Sequence, residues 1–296
     1  MKKNILIVTG GAGFVGANLI SLLVKKTNYR VISIDNYFSG NKKNQIKNKN
    51  VKYIIGDTKN ISNILKKYKK KINAVFHFGE FSRIAQSFLK FDQCIKSNSI
   101  GSHEVFNFCL INDIKLIYST TSASIGNEGK DKNLSPYAFS KSKNLELLEN
   151  LKKWFKMRFE IIYFYNVYGP MQICEGYMAT VIGIFENFYK KNLPLPVVKP
   201  GSQSRRFTHI NDTTEVCYLA WKKNKCLHYA VTNKKSYKIT EVAKLFDHKF
   251  KYLPARKGER FASSLSTMNL SNKVHRIYGK IMFKDYIKAF IKNNKT

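Results

Sequence analysis

The chain has 296 residues, 44% hydrophobic and 24% charged, which is ordinary for a globular protein and excludes extensive disorder. No apolar run approaches the length of a transmembrane helix, and the apolar start of the chain is too short for a signal peptide. The 52 basic and 19 acidic residues give a net charge of +33, but the lysines are scattered. We therefore expect a cytoplasmic protein with no dedicated nucleic-acid or membrane partner.

Apolar strands alternate with helical patterns along the first half of the chain. This alternation predicts an α/β fold with a doubly wound parallel sheet. The predicted strands are residues 4–8, 31–34, 52–55, 74–78, 115–118 and 160–164, and the predicted helices are 14–26, 61–71, 85–112 and 136–154.

Proline and glycine punctuate shorter segments after Asn166. This change predicts a main domain over residues 1–168, to which residues 207–232 return. Residues 169–206 and 233–296 are then expected to form a smaller lobe. The five cysteines contain no Cys-x-x-Cys pair, so neither a disulfide framework nor a metal site is expected.

A glycine-rich turn, Thr-Gly-Gly-Ala-Gly-Phe-Val-Gly, occupies residues 9–16 between the first predicted strand and the first predicted helix. Glycines at this point let the backbone approach a pyrophosphate, and the N–H groups that open the helix stabilise its charge. The motif alone is also found in ordinary strand–helix turns. Asp35 ends the second predicted strand, where a carboxylate can accept hydrogen bonds from a ribose diol and would repel a 2′-phosphate. The glycine turn and Asp35 together favour NAD over NADP as the cofactor.

Tyr137 and Lys141 lie one turn apart at the start of a predicted helix. A nearby ammonium group and a positively charged nicotinamide would lower the pKa of the phenol, so that Tyr137 could act as a base. The spacing is a common accident in helices. A catalytic role for the pair is supported by the hydroxyl-rich segment that includes Thr121. This segment lies at the carboxyl end of the fifth predicted strand, where parallel sheets bind their ligands.

Further motifs follow in the order that is typical of one enzyme family. They are Asp35-Asn36, Gly56-Asp57, His77-Phe78-Gly79, Ser119–Gly126, Asn166–Pro170, Arg205–Phe207 and Arg256–Glu259. With the glycine turn and the Tyr137/Lys141 pair, the chain resembles the extended short-chain dehydrogenase/reductases. More specifically, it resembles the NAD-dependent nucleotide-sugar epimerase/dehydratase family typified by UDP-glucose 4-epimerase. The resemblance covers nearly the whole chain and implies a Rossmann domain with a substrate-binding lobe.

The resemblance assigns roles to individual residues. Thr121, Tyr137 and Lys141 would be catalytic. The residues expected to contact NAD are Gly10, Gly13, Phe14, Val15, Gly16, Asp35, Asn36, Asp57, Phe78, Gly79, Tyr137 and Lys141. The residues expected to contact the substrate are Thr121, Asn166, Met178, Arg205 and Arg256, the two arginines by clamping the diphosphate. No metal is expected.

Two departures from the family pattern narrow the expected activity. Members that dehydrate their substrate carry Asp-Glu after the catalytic Thr, whereas this chain has Ser122 and Ala123. This difference disfavours a dehydratase and leaves epimerisation, at C4 of a UDP-hexose or UDP-N-acetylhexosamine. Residues 178–181 also resemble heptose-nucleotide 6-epimerases, so the sugar stays open.

The alternatives are a dehydratase, a reductase or a heptose-nucleotide 6-epimerase on the same fold, or a catalytically idle NAD-bound binding protein. Relatives of this kind pair through two helices of each subunit, here 85–112 and 136–154. The resemblance therefore implies a homodimer, and cell-envelope polysaccharide biosynthesis is the usual setting.

Overall fold

The computed structural model describes residues 3–124, 126–258 and 274–294. Its strands are, in chain order, β1 (Ile5–Thr9), β2 (Arg30–Asp35), β3 (Val51–Ile55), β4 (Ile72–His77), β5 (Lys115–Thr121), β6 (Phe159–Phe164), β7 (Val167–Tyr168), β8 (Leu195–Val198), β9 (Ser204–Arg206), β10 (Thr208–His209), β11 (His228–Thr232), β12 (Ser236–Lys238), β13 (Phe250–Leu253) and β14 (Val274–Tyr278).

The α-helices of the same residues are α1 (Phe14–Lys26), α2 (Ile61–Leu65), α3 (Ile84–Leu89), α4 (Phe91–Ile95), α5 (Ser102–Ile111), α6 (Pro136–Phe155), α7 (Val181–Lys190), α8 (Ile210–Lys223), α9 (Ile239–Leu245) and α10 (Phe283–Asn294). A π-helical stretch, Lys96–Gly101, joins α4 to α5.

Eight parallel strands form the main sheet in the order β14-β11-β6-β5-β4-β1-β2-β3. From β1 the chain first builds outward to β3 and then crosses back to β4 on the other side. The loops that follow β1 and β4 therefore diverge, and they leave a crevice at the carboxyl ends of the strands. This sheet confirms the doubly wound α/β fold.

The sheet is buried on both faces, as the continuous apolar strands require. In β1, Ile5 and Ile7 pack into one hydrophobic cluster, which includes residues of α2, α5 and α6. Leu6 and Val8 point to the other face and pack into a second cluster with residues of α1 and α8. A third cluster is built largely from α7, α9, α10 and the short sheets β10-β7, β12-β9 and β13-β8.

The single helix predicted over 85–112 is instead formed by three α-helices, α3, α4 and α5. Lys90 leaves the helical region, with φ −118° and ψ 46°, and separates α3 from α4. The π-helical stretch then places Asn98 where its side chain bonds both the N–H and the C=O of Phe81. The predicted helix 61–71 also ends early, at Leu65, because the lysines that follow have no apolar face to bury.

The part of the chain after residue 206 contributes two strands to the main sheet. β11 lies within 207–232, the segment expected to return to it, and pairs with β6. β14 pairs with β11 at the edge, although 233–296 was assigned to the lobe. Residues 259–273 of that assignment lie outside the described residues, and the division of the chain into domains stays a prediction.

Candidate active site

A cavity of about 630 Å³ opens at the carboxyl ends of the central strands and is bounded on the other side by residues of α7, β8 and β9. Every predicted site residue except Met178 lines it. From the main sheet and its loops these are Gly10, Gly13, Phe14, Val15, Gly16, Asp35, Asn36, Asp57, Phe78, Gly79, Thr121, Tyr137 and Lys141, and from beyond the sixth strand Asn166, Arg205 and Arg256.

The glycine turn is held tightly between β1 and the loop after β4. Gly10 has a φ of +70°, and a Cβ there would lie 2.9 Å from the Cα of Gly79. A Cβ on Gly16 would lie 2.1 Å from the carbonyl oxygen of Gly10. Helix α1 begins directly after Gly13, which provides no side-chain cap, and its first turn has no acidic residue. Its N-terminal N–H groups are thus left for an anionic ligand.

Asp35 lies at the end of β2 beside this turn and is only 7% exposed. Its two carboxylate oxygens accept hydrogen bonds from the N–H groups of Ala12 and Tyr37, each at 2.8 Å. Burial raises the pKa of Asp35, and the hydrogen bonds from the backbone oppose that rise. Asn36 donates a hydrogen bond to Asp57 at 3.2 Å, which links the ends of β2 and β3. The glycine turn, the open helix N-terminus and the anchored carboxylate fit NAD.

Tyr137 and Lys141 are placed by the first two turns of α6. The Ser135 hydroxyl accepts a hydrogen bond from the N–H of Ala138 at 3.1 Å and caps this helix. The Tyr137 side chain is buried in a small hydrophobic cluster with Phe81, Cys94 and Met178. Its ring is therefore fixed at the cavity wall, one helical turn before Lys141.

Lys141 is buried, and its ammonium group contacts a carbonyl oxygen, an aromatic ring and a carboxylate. Its ammonium group donates to the carbonyl oxygen of Ser119 at 2.6 Å and lies 4.7 Å from the centre of the Tyr118 ring. It also forms a buried ion pair with Glu80. Burial lowers the pKa of Lys141, and the carboxylate of Glu80 opposes that change.

Glu80 was not singled out from the sequence. Its carboxylate accepts hydrogen bonds from Ser102 at 2.8 Å, Tyr118 at 2.9 Å and Asn144 at 3.3 Å, in addition to Lys141. The sequence feature that could have identified Glu80 is its position directly after Phe78-Gly79, at the carboxyl end of a buried strand. Because four donors surround it, this carboxylate acts as the counter-ion of Lys141.

The hydroxyl-rich end of β5 lies across the cavity from the glycine turn. The Thr121 hydroxyl accepts a hydrogen bond from the N–H of Ala123 at 3.2 Å. Ser122 lines the cavity and Ala123 is buried beside it, but neither side chain carries a carboxyl group that could act as an acid or a base. The geometry agrees with the interpretation that this site lacks the carboxylate pair used for dehydration.

Polar side chains from beyond β6 form the other wall. Asn166 donates a hydrogen bond to the carbonyl oxygen of Arg206 at 2.9 Å. Arg205 is 8% exposed, whereas Arg256 is exposed to solvent. The side chain of Met178 is buried rather than lining the cavity, and its carbonyl oxygen accepts a hydrogen bond from Arg83 at 2.9 Å. Arg83 does line the cavity, although no motif in the sequence singles it out.

The described residues contain no helix that is long and apolar enough to cross a membrane. They also contain no group of three His, Cys, Asp or Glu side chains that could hold a metal ion. The five cysteines are free thiols, and burial raises the pKa values of Cys94 and Cys174 above that of an ordinary thiol.

Known proteins share both the sequence and the fold of this chain. A protein of Methanocaldococcus jannaschii, provisionally named a UDP-glucose 4-epimerase, is 28% identical over 82% of this chain and 80% of its own length. An ADP-L-glycero-D-manno-heptose-6-epimerase of Brachyspira hyodysenteriae is 30% identical over 71% of this chain and 70% of its own.

Among solved structures, a UDP-N-acetylglucosamine 4-epimerase of Methanobrevibacter ruminantium, in complex with UDP-N-acetylmuramic acid, superposes with a TM-score of 0.85. It is 25% identical, and the match covers 99% of this chain and 98% of the other. The model of the NAD dependent epimerase/dehydratase family matches residues 6–233. This match spans the glycine turn, the Tyr137/Lys141 pair and β11, and the chain therefore belongs to the NAD-dependent epimerase/dehydratase family of enzymes.

Proposed function

We propose that this enzyme epimerises a nucleotide sugar at C4, with a UDP-hexose or a UDP-N-acetylhexosamine as substrate. The observation that carries the proposal is that Thr121, Tyr137 and Lys141 share one cavity with the cradle for NAD, while Ser122 and Ala123 offer no carboxylate. Such a site can move a proton and a hydride, but it lacks the acid/base pair that eliminates water.

NAD, when bound, supplies the reversible hydride acceptor. Tyr137 takes the proton from the C4 hydroxyl of the sugar, and Thr121 shares the hydrogen bond to the same oxygen. The ammonium group of Lys141 favours the phenolate form of Tyr137. When the sugar presents its opposite face, Tyr137 returns the proton to the C4 oxygen, and the inversion at C4 would come from hydride returned to that face.

The remaining polar wall holds the nucleotide part of the substrate. Arg205 and Arg256 clamp the diphosphate, because a planar guanidinium group matches phosphate oxygens. Asn166 contacts the same diphosphate through its side chain. With the diphosphate fixed in this way, the sugar can rotate without leaving the cavity.

A heptose-nucleotide 6-epimerase is the second candidate. The 30% identity to the Brachyspira hyodysenteriae enzyme supports it, as does the resemblance of residues 178–181 to such enzymes. The two candidates share the fold and the cofactor. They differ in the carbon that reaches Tyr137.

We further propose that the enzyme is a cytoplasmic homodimer and acts in polysaccharide biosynthesis. The dimer would form through α6 and the segment from α3 to α5. Large apolar side chains are exposed on these elements, namely Leu89, Phe91, Ile100, Ile111, Phe139, Trp154 and Phe155.

The decisive experiment incubates the purified protein, without added cofactor, with a panel of UDP-hexoses, UDP-N-acetylhexosamines and an ADP-heptose. Proton NMR and mass spectrometry follow the products. A new sugar signal at unchanged mass supports an epimerase and identifies the substrate. A product lighter by one water indicates a dehydratase. If no substrate changes until NADH is added, the enzyme is a reductase, and no change under either condition favours an idle NAD-bound protein.

A further inference from the structure

Arg83 lies just before α3 and is held at the cavity wall by main-chain atoms. Its Nε donates a hydrogen bond to the carbonyl oxygen of Met178 at 2.9 Å. Its Nη1 donates to the carbonyl oxygen of Ser82 at 2.9 Å. Two of the three guanidinium nitrogens are therefore fixed, and the orientation of the group is set before any ligand binds.

The third nitrogen has no such partner. In residues 3–124, 126–258 and 274–294, Nη2 of Arg83 makes no hydrogen bond to protein, and no carboxylate forms an ion pair with this side chain. Arg83 is partly buried in the cavity wall, so its charge is partly desolvated and is available to a ligand that provides the opposite charge.

The surroundings of Arg83 place it at the reacting end of the cavity. Ile84, the next residue, packs into the cluster that contains Phe81, Tyr137 and Met178. Burial lowers the pKa of Arg83, and the negative charge that Tyr137 carries when ionised opposes this change. Arg83 is therefore close enough to the proposed base for their charges to interact.

The nature of the missing anion follows from this position. Arg205 and Arg256, from the lobe side of the cavity, are the groups proposed to hold the diphosphate. Arg83 instead adjoins Tyr137, where the sugar ring must lie for its hydroxyl to be deprotonated. A guanidinium nitrogen that is free to donate, here Nη2, forms a strong charge-assisted hydrogen bond with a carboxylate.

We propose that Arg83 determines specificity for a sugar that carries a carboxylate, so that the preferred substrate is a nucleotide-linked uronic acid. This inference rests on the proposed epimerase function and narrows it. The hexose unit is one in which C6 is a carboxylate rather than a hydroxymethyl group. Because Nε and Nη1 are already engaged, Nη2 is the nitrogen that meets this carboxylate.

The test compares UDP-glucuronate with UDP-glucose, which differ only at C6. Product formation is followed by NMR for the wild type and for Arg83→Met and Arg83→Lys. The wild type should convert UDP-glucuronate with at least about tenfold higher kcat/KM, and Arg83→Met should reduce this ratio by about 10- to 100-fold. Arg83→Lys, which keeps the charge but not the fork, should restore part of the ratio.

A matched control is Arg158→Met. Arg158 is a half-exposed arginine directly before β6, at the amino ends of the strands and away from the cavity; it is paired with Asp113, and its replacement should leave the ratio unchanged. The inference is wrong if the wild type converts both substrates equally well, or if Arg83→Met lowers both rates in the same proportion.

Binding separates this inference from the proposed function. Titration calorimetry of the Tyr137→Phe protein measures the affinity for both UDP-sugars without turnover. Tighter binding of UDP-glucuronate, lost in the Tyr137→Phe/Arg83→Met double variant, supports the role of Arg83 even if no panel substrate is epimerised. Equal affinities overturn it even if the enzyme proves to be a C4-epimerase.

Discussion

At the scale of single residues, the positive charge of Lys141 has two roles, one towards Tyr137 and one towards Glu80. The ammonium group is expected to favour ionisation of Tyr137, yet it is already paired with Glu80 and bonded to the carbonyl of Ser119. Breaking one side of a buried ion pair leaves the other charge desolvated and without a partner. Glu80 therefore stabilises both the fold and the protonated state of Lys141.

Replacing Glu80 by Gln should consequently destabilise the protein. We expect a loss of about 3–5 kcal/mol in the free energy of unfolding, because the Lys141 charge stays buried without a counter-ion. Urea unfolding followed by circular dichroism measures this loss. The control is Glu146→Gln, which removes an exposed, solvent-screened ion pair with Lys143 and should leave the free energy of unfolding nearly unchanged. Equal losses in the two variants would contradict the role given to Glu80.

The proposed base gives a second prediction at this scale. Tyr137→Phe removes only the phenolic oxygen, so the ring still packs with Phe81 and Met178. The turnover number should fall by about 10²- to 10⁴-fold while NAD stays bound. Steady-state rates and the absorbance of the co-purified cofactor measure the two effects. Turnover near that of the wild type would exclude Tyr137 as the base.

At the scale of elements, the turn between β1 and α1 depends on the absence of side chains. The carbonyl of Gly10 lies where a Cβ of residue 16 would be, so α1 cannot approach β1 if a larger residue stands there. This contact is backbone against side chain, and no rotamer change relieves it.

Gly16→Ala should therefore weaken both the turn and its ligand. We expect a loss of about 1–3 kcal/mol in stability from overpacking, and a protein that purifies without NAD. Gly176→Ala is the control, because nothing lies within 4 Å of a Cβ at that position and only the positive φ of +77° opposes it. The two variants are compared by thermal unfolding and by cofactor content. Retention of NAD by Gly16→Ala would contradict the proposed cradle.

His77 connects three elements, since it lies at the end of β4 and bonds to Thr9 of β1 and to Ser102 of α5. Burial lowers the pKa of His77 to about 4, whereas an unfolded histidine titrates near 6.5. Between these values the unfolded chain binds the extra proton and the folded chain does not. Stability is thus fully present above about pH 6.5 and decreases as the pH falls towards 4.

The contribution of His77 can be isolated by substitution. From the shift in its pKa, about 3 kcal/mol of stability should be lost between pH 6.5 and pH 4. His77→Gln should make this part of the pH dependence disappear, whereas His103→Gln, at an exposed position of α5, should retain it. Urea unfolding at several pH values measures the slope. An unchanged slope in His77→Gln would show that other groups cause it.

At the scale of the whole molecule, the site is assembled from parts that are distant in sequence. The first half of the chain provides the glycine turn and the Tyr137/Lys141 pair of α6, and the later half provides Asn166, Arg205 and Arg256. The surface outside the site carries most of the net charge of +33, together with apolar side chains on α3 to α6. A second copy of the chain is the partner that we expect on this apolar surface.

The proposed dimer is tested on the segment that ends in α5. Ile100 and Ile111 are 50% and 72% exposed and are spaced by about three helical turns. Light scattering after size exclusion should show a dimer for the wild type and a monomer for Ile100→Glu/Ile111→Glu. Leu193→Glu, at an exposed position after α7, should remain dimeric. A monomeric wild type would remove the dimer from the proposal.

The sequence by itself determined the features that depend on local order. Alternating apolar strands and helical patterns predicted the parallel sheet, because each strand is buried on both faces and each helix on one. The glycine turn and the Tyr137/Lys141 spacing were readable because each lies within one short segment. Their position at a shared cavity followed from the rule that open parallel sheets bind ligands at the carboxyl ends of their strands.

Only the tertiary structure decided which distant residues meet. Glu80 and Lys141 are 61 residues apart, and Arg83 and Met178 are 95 apart, so no local pattern pairs them. No local pattern predicts the break in the helix expected over 85–112 either. The same holds for the position of β14 at the edge of the sheet. Each depends on strand order and on packing between elements. These are set by the free energy of the whole core rather than by the preference of any one segment.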